Sequence, residues 1–300
     1  MGQDSVTTRT QTTTGVGQRE LDTNLATDTV VIPVKLCNLP PMSEIANQVL
    51  ALSADADVDL KQLSIVMERD PAFAADVLFL ANSSLFGFPQ RMQVLRHAVA
   101  VLGLDRMRAL AVTVAMRGFL GNGGSVMVRQ CWQHSVATAL ICEEIAPIFR
   151  ITSDVAYTLG LMHDIGRLGF VKCYAKESDA VLSREYDTVE QVMEAEKALL
   201  NVDHARAGSW LVKNWGFPNT FMECCERHHE AFQPQDPELL KLVKTACRLA
   251  DALSFSAVKY TNTFSYDDVI WSLPTDIHRE SFPSAAELRE NVEKKLAIFR

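Results

Sequence analysis

From Val30 onward the chain is a succession of short stretches in which apolar residues recur every three to four positions, and no stretch alternates apolar and polar residues over the length of a strand. A period near 3.6 gathers apolar side chains on one face of a helix, whereas a half-buried strand needs a period of two. The chain is therefore expected to be all-α, a multi-helix bundle rather than an α/β fold. With 300 residues, 48% of them hydrophobic, it can bury a large core.

Residues 1–30 carry nine threonines and few large apolar side chains, too little to offset the entropy of ordering, and are read as a disordered tail. Order is expected from Val30-Val31-Ile32-Pro33. Leu39-Pro40-Pro41-Met42 then leads into a helix capped by Ser43, with Ile45, Ala46, Val49, Leu50 and Leu52 on its apolar face. Asp59 starts a second helix, and Asp70-Pro71 a third, closed by Asn82-Ser83-Ser84. Helices follow at about 94–102 and 104–119, and Gly121-Asn122-Gly123-Gly124 marks a boundary. Beyond it the periodicity predicts helices at about 126–148, 152–176, 188–200, 203–215, 218–230 and 237–256, with a last one at 284–299 after a turn-rich stretch from Tyr260 to Pro283. This divides the ordered part into an N-terminal helical subdomain (31–120), a second helical subdomain (125–256) and a C-terminal extension (257–300).

Composition removes several classes of function. The 29 basic and 37 acidic residues give a net charge of −8 with no basic stripe, which disfavours general nucleic-acid binding. Seven cysteines, an odd number without a C-x-x-C pair, suggest neither a disulfide framework nor a zinc ribbon and fit a reducing cytoplasm. The N-terminus has no apolar signal region, and no later stretch reaches the roughly 18 apolar residues a membrane helix needs, so no membrane association is expected.

Five of the seven histidines, His134, His163, His204, His228 and His229, fall inside the apolar or amphipathic helices of the second half. Asp164 follows His163 within Leu159-Gly160-Leu161-Met162-His163-Asp164-Ile165-Gly166, where an ionised carboxylate needs a partner such as a metal cation. On one continuous helix the two side chains would point about 100° apart, leaving the carboxylate free to reach a second ion. Asp251, in Cys247-Arg248-Leu249-Ala250-Asp251-Ala252-Leu253, is again a lone acid among small and apolar neighbours.

The order His134, His163-Asp164, His204, His228-His229, Asp251 resembles the ligand series of dinuclear HD-superfamily phosphohydrolases. The surroundings resemble the HDOD family of that superfamily: Leu39-Pro40-Pro41-Met42, then Asp70-Pro71 with Leu80-Ala81-Asn82-Ser83, Ala98-Val99 with Leu102-Gly103, His204-Ala205 with Gly208, and Leu211 with Trp215-Gly216-Phe217-Pro218. The resemblance covers roughly 33–255 and implies a helical bundle of HD type. It also implies one or two divalent transition metals (iron, manganese, nickel or zinc), the first held by His134, His163, Asp164 and Asp251 and the second by His204, His228 and His229, with Asp164 bridging.

The chain departs from the hydrolytic HD-GYP relatives at three places. Arg167 stands where those enzymes have lysine, Ala231-Phe232-Gln233-Pro234 where they have Gly-Tyr-Pro, and Gln130 where they have a glutamate. Arg167 has two readings, a bidentate partner for a substrate phosphate or a charge on a helix surface. His97 and His278 take no functional role, Cys224-Cys225 reads as apolar filling, and Trp132, Trp210, Trp215 and Trp271 read as packing anchors. Two functions follow from the resemblance. One is a bacterial signal-transduction module that retains a metal site and engages a signalling protein, with weak or no catalysis. The alternative is a metal-dependent phosphohydrolase acting on a nucleotide or another phosphate ester, with Asp164 as the catalytic carboxylate.

Overall fold

A computed structural model of the chain describes residues 31–39, 43–53, 60–83, 91–121 and 125–299. The tail expected over 1–30, Pro40-Pro41-Met42, Asp59, Ser84 and Asn122-Gly123-Gly124 lie outside the described residues. The described residues from Val31 on belong to one compact unit.

That unit is all-α, as the periodicity predicts. A short helix α1 (Val34–Cys37) precedes α2 (Glu44–Ser53), α3 (Leu60–Glu68), α4 (Pro71–Ala81) and the long α5 (Leu95–Leu120). Then come α6 (Val126–Ile145), α7 (Ser153–Met162), α8 (Ile165–Cys173) and α9 (Ala175–Leu182). The strand β1 (Glu185–Tyr186) leads to α10 (Val189–Leu200), α11 (His204–Asn214), α12 (Asn219–Arg227) and α13 (Glu238–Ala252). After β2 (Lys259–Tyr260) come α14 (Tyr266–Ser272) and α15 (Ala285–Leu296).

The ends of these helices follow from local chemistry. The Ser43 hydroxyl accepts from Ala46 N at 3.2 Å, and Asp70 accepts from Ala72 N at 2.9 Å and Phe73 N at 3.1 Å with Pro71 in the first turn. Each such cap contributes about 1 kcal/mol. Asn82 ends α4 and also accepts from Met92 N at 2.6 Å, tying the entrance of α5 to the exit of α4. Gly103 (φ 77°) breaks the helical path of α5, in keeping with the two helices expected on either side of it.

Packing proceeds in two sets. α2, α3 and α4 lie against α5, which lies against α7, where Thr113 and Tyr157 share a hydrogen bond of 3.2 Å. α6 packs on α7 and α13, α8 on α11, and α11 on α12. α15 returns to α6, fixed by Lys295 to Glu143 at 2.9 Å.

Three expectations need correction. The single helix expected over 152–176 is broken at His163-Asp164 and again at Tyr174, because Asp164 (φ −110°, ψ 27°) leaves the helical region and the chain turns into α8. The stretch expected to be turn-rich holds α14, opened by a capping box between Ser265 and Asp268. Trp271 is no packing anchor: it is 71% exposed. The two strands form a minimal parallel pair, Glu185 with Lys259 and Tyr186 with Tyr260, which fastens the start of α10 to the segment after α13.

Candidate metal centre

The residues singled out in the sequence arrive from five helices. His134 lies within α6, and His163 ends α7 with Asp164 at the turn into α8. His204 opens α11, His228 ends α12 with His229 next in the chain, and Cys247 and Asp251 lie on α13. Two glycines permit the close approach. A Cβ on Gly160 would fall 2.7 Å from Cys142 Sγ and 2.8 Å from Ala139 Cα, so α7 lies directly on α6 and His163 comes beside His134. On Gly166 it would fall 2.0 Å from the His204 carbonyl oxygen, so α8 and α11 meet backbone to backbone. The imidazoles then form a continuous series, with ring centroids 5.3 Å apart for His134 and His163, 5.0 Å for His163 and His228, and 5.0 Å for His204 and His229.

Hydrogen bonds fix the tautomers. His134 Nδ1 lies 3.0 Å from Phe255 O, His163 Nδ1 2.6 Å from Gly160 O and His228 Nδ1 2.8 Å from Cys225 O. A ring nitrogen facing a carbonyl oxygen donates to it, so each of these rings carries its proton on Nδ1 and presents a lone pair at Nε2. Burial lowers His134 and His163 to about 4 and holds His228 and His229 well below their ordinary 6.5. These four rings are neutral near pH 7, the form that ligates metal.

A carboxylate and a guanidinium stand among them. Burial pushes the Asp164 carboxyl up, but Arg167 and the facing imidazoles outweigh it and hold the group well below the usual carboxylate range. Arg167 Nε is 3.3 Å from Asp164 Oδ2 and 3.9 Å from Glu196 Oε1. Glu196 Oε2 accepts from His204 Nδ1 at 2.6 Å and from the His204 backbone N at 2.9 Å. His204 Nδ1 thus faces Glu196, and its Nε2 faces the other imidazoles. Arg167 Nη2 stands 3.0 Å from both His204 ring nitrogens, over the face of the ring, and His229 Nε2 lies 2.9 Å from His204 Nε2.

The predicted residues thus divide. Two groups of ligand-type atoms lie within 4.8 Å of one another, His134 with His163 and Cys247, and His204 with His228 and His229. Asp164 and Asp251 are in neither: Asp164 Oδ1 stands 3.7 Å from His204 Nε2, and Asp251 Oδ1 stands 3.8 Å from His134 Nδ1, the nitrogen that faces Phe255 O. Burial raises the Asp251 carboxyl to about 6. Arg167 is 4% exposed, which overturns its reading as a helix-surface charge. Glu196 and Cys247 carry no role in the sequence reading. The signal for Glu196 was present, since it lies four residues after Val192 and four before Leu200 on the buried stripe of α10.

His163 Nε2, His228 Nε2 and Asp164 Oδ1 are buried without a hydrogen-bond partner. Buried polar atoms are rarely left so, and two lone pairs plus an anionic oxygen match a divalent cation in charge and donor type. The group around His134 and His163 fits one such ion. At the group around His204, the guanidinium of Arg167 already supplies a positive charge.

The surroundings hold this arrangement rigid and open it on one side. Lys244 Nζ donates to Asp236 Oδ2 at 2.7 Å and Ala231 O at 3.1 Å, and Arg227 Nη2 donates to Asp236 Oδ1 at 2.7 Å, which anchors the chain leaving His229. A cavity of about 580 Å³ reaches His229, Cys247 and Asp251. Its wall carries Asp187, Glu190 and Asp268 against a single guanidinium, Arg248, and takes its shape from the β1–β2 pair and α14.

Comparison with known proteins agrees with this architecture. The model of the HDOD domain matches residues 39–231. A provisionally named phosphohydrolase from Shewanella amazonensis SB2B superposes with a TM-score of 0.66 at 21% identity, covering 88% of this chain and 95% of that one. A provisionally named signal transduction protein from Marinobacter aquaeolei VT8 superposes with a TM-score of 0.63 at 22% identity, covering 87% of this chain and 60% of that one. Likeness at these identities shows the fold. An uncharacterized protein of Treponema pallidum (strain Nichols) is 23% identical over 229 residues, 74% of this chain, and the match spans 43% of that protein's length.

Proposed function

The chain belongs to the HDOD domain family, and from that premise we propose that it is a signal-transduction module built around a retained HD-type metal site with weak or no hydrolytic activity. The observation that carries this reading is the ion pair of Arg167 with Asp164 at 3.3 Å. Asp164 is the carboxylate expected to bridge two ions, and here a permanent cation engages it. Two-metal hydrolysis needs both ions a few ångströms apart; Arg167 opposes the second by its charge, held against Asp164 and over the His204 ring.

We take the resident ion to be held by His134, His163 and Asp164, with Asp251 flanking His134, and His204, His228 and His229 to be a second group that Arg167 keeps from full occupancy. Iron, manganese, nickel and zinc all suit an imidazole and carboxylate set. The ion would supply the positive charge that the Asp164 Oδ1 and the Nε2 lone pairs of His134 and His163 need, and so would tie α6 to the turn between α7 and α8. The acidic wall of the cavity also weighs against a phosphate ester as ligand, since Asp187, Glu190, Asp251 and Asp268 face Arg248 alone. The partner is then a separate signalling protein, and the site a structural or ligand-sensing element.

The phosphohydrolase alternative keeps one observation in its favour, the cavity that reaches His229 and Asp251. Elemental analysis of protein purified without chelators tests the reading. About one equivalent of a transition metal is expected, and less than about a tenth of an equivalent of every metal contradicts it, given the tight binding of imidazole-rich sites.

A further inference from the structure

Cys247 is fully buried on α13, one turn before Asp251. Its Sγ lies 3.9 Å from His134 Nε2, and the ligand atoms of Cys247, His134 and His163 lie within 4.8 Å of one another. His134 and His163 give their Nδ1 protons to backbone carbonyls, so their Nε2 lone pairs are free to face the sulfur. His163 is 1% exposed, and its Nε2 has no hydrogen-bond partner. That unpartnered nitrogen points to a ligand at the same place.

The sulfur–nitrogen distance leaves room for an ion between the two atoms. Across a tetrahedral ion with a metal–sulfur bond of about 2.3 Å and a metal–nitrogen bond of about 2.0–2.1 Å, sulfur and nitrogen stand about 3.6 Å apart. The observed 3.9 Å, a weak thiol–imidazole contact as it stands, is within a few tenths of an ångström of that span. Asp251 is turned toward the other nitrogen of the His134 ring.

We propose that Cys247 is a ligand of the ion held by His134 and His163, supplying a thiolate and giving the site a preference for zinc, cobalt(II) or iron(II) over manganese or magnesium. The inference rests on the reading that this site binds metal. As the sulfur–metal bond forms, the thiol proton leaves to solvent and no electron is transferred. A thiolate is the soft member of the set, and it selects borderline-soft ions that carboxylates and imidazoles alone do not distinguish.

The test is X-ray absorption spectroscopy of the zinc-loaded full chain, with Cys247→Ser as the variant and Cys247→Ala as a second should the serine not be tolerated. The expected result is one sulfur at about 2.3 Å beside nitrogen or oxygen at about 2.0–2.1 Å, the sulfur being lost in the variant. Bound zinc with nitrogen and oxygen only overturns the thiolate while leaving the metal site intact. A sulfur shell that survives both substitutions overturns it too, by placing the sulfur elsewhere. A wild-type chain that retains no zinc overturns both this inference and the metal-site reading beneath it. The cobalt(II)-loaded wild type gives an independent reading: an intense near-ultraviolet sulfur-to-cobalt charge-transfer band is expected, and weak visible bands without it contradict the proposal.

Discussion

Arg167 and Asp164, three residues apart on either side of a helix start, form a buried ion pair at 3.3 Å whose members are 4% and 2% exposed. Breaking one side of such a pair leaves an uncompensated charge in the interior, which costs about 3–5 kcal/mol. Asp164→Ala should therefore lower stability by that order in urea denaturation and reduce the bound metal. In Arg167→Met the carboxylate loses its internal cation, so an added divalent ion has more to compensate. The rise in Tm on adding zinc should be larger for Arg167→Met than for the wild type. An equal rise would show that the guanidinium and the metal do not compete.

Glu196 holds His204 by two hydrogen bonds, 2.6 Å to Nδ1 and 2.9 Å to the backbone N at the head of α11. Glu196→Ala leaves both donors buried and removes one of the two anions beside Arg167. A loss of about 2–4 kcal/mol is expected from the unsatisfied donors, and Glu196→Gln should recover part of it. Chemical denaturation of the three proteins side by side measures this, and an unchanged Glu196→Ala would show that the contact contributes nothing.

Gly166→Ala tests the backbone contact that brings α8 to α11. Its Cβ would fall 2.0 Å from His204 O and 2.6 Å from Gly208 N, atoms that no side-chain rotation can move. Separation of the two helices should cost at least about 4 kcal/mol, among the largest effects of a single substitution. A variant with native thermal stability would mean that the helices stand further apart.

Buried neutral histidines make the metal-free protein acid-sensitive. His134 and His163 are lowered by burial from 6.5 to about 4. The unfolded chain therefore takes up protons before the folded one does as pH falls. Their contribution to stability is complete above about 6.5, and it declines through the window down to about 4, each group adding a slope of up to about 1.4 kcal/mol per pH unit. Denaturation midpoints of the chelator-treated protein between pH 4 and 8 check this, and a flat profile below pH 6.5 would contradict it.

The helical class and the ordered histidines were legible because both are repeated signals: apolar positions at helical spacing from α2 to α15, and five imidazoles in otherwise apolar surroundings. The break at His163-Asp164 was not, since residues 159–162 and 165 are apolar or small and read as one run. The turn lies between two close helix contacts, Gly160 on α6 and Gly166 on α11, that become visible only in the folded chain. That turn also replaces the picture of two neighbours pointing about 100° apart on a single helix, because Asp164 lies outside helical geometry. Glu196 left a trace as an acid on an apolar stripe, but its partner His204 becomes visible only when α10 and α11 are placed. For Cys247 the local sequence marks Asp251 instead, and the rotation of α13 decides which of the two faces His163.

The central claim, a metal site without efficient hydrolysis, is tested most directly by turnover. Iron-, manganese-, nickel- and zinc-loaded wild type and Asp164→Ala should be assayed against activated phosphodiesters, phosphomonoesters and nucleotides, with bound metal quantified in the same samples. Bound metal is expected in the wild type, with hydrolysis indistinguishable from buffer in both proteins. Metal-dependent turnover well above buffer that disappears in Asp164→Ala would contradict that claim and establish a phosphohydrolase.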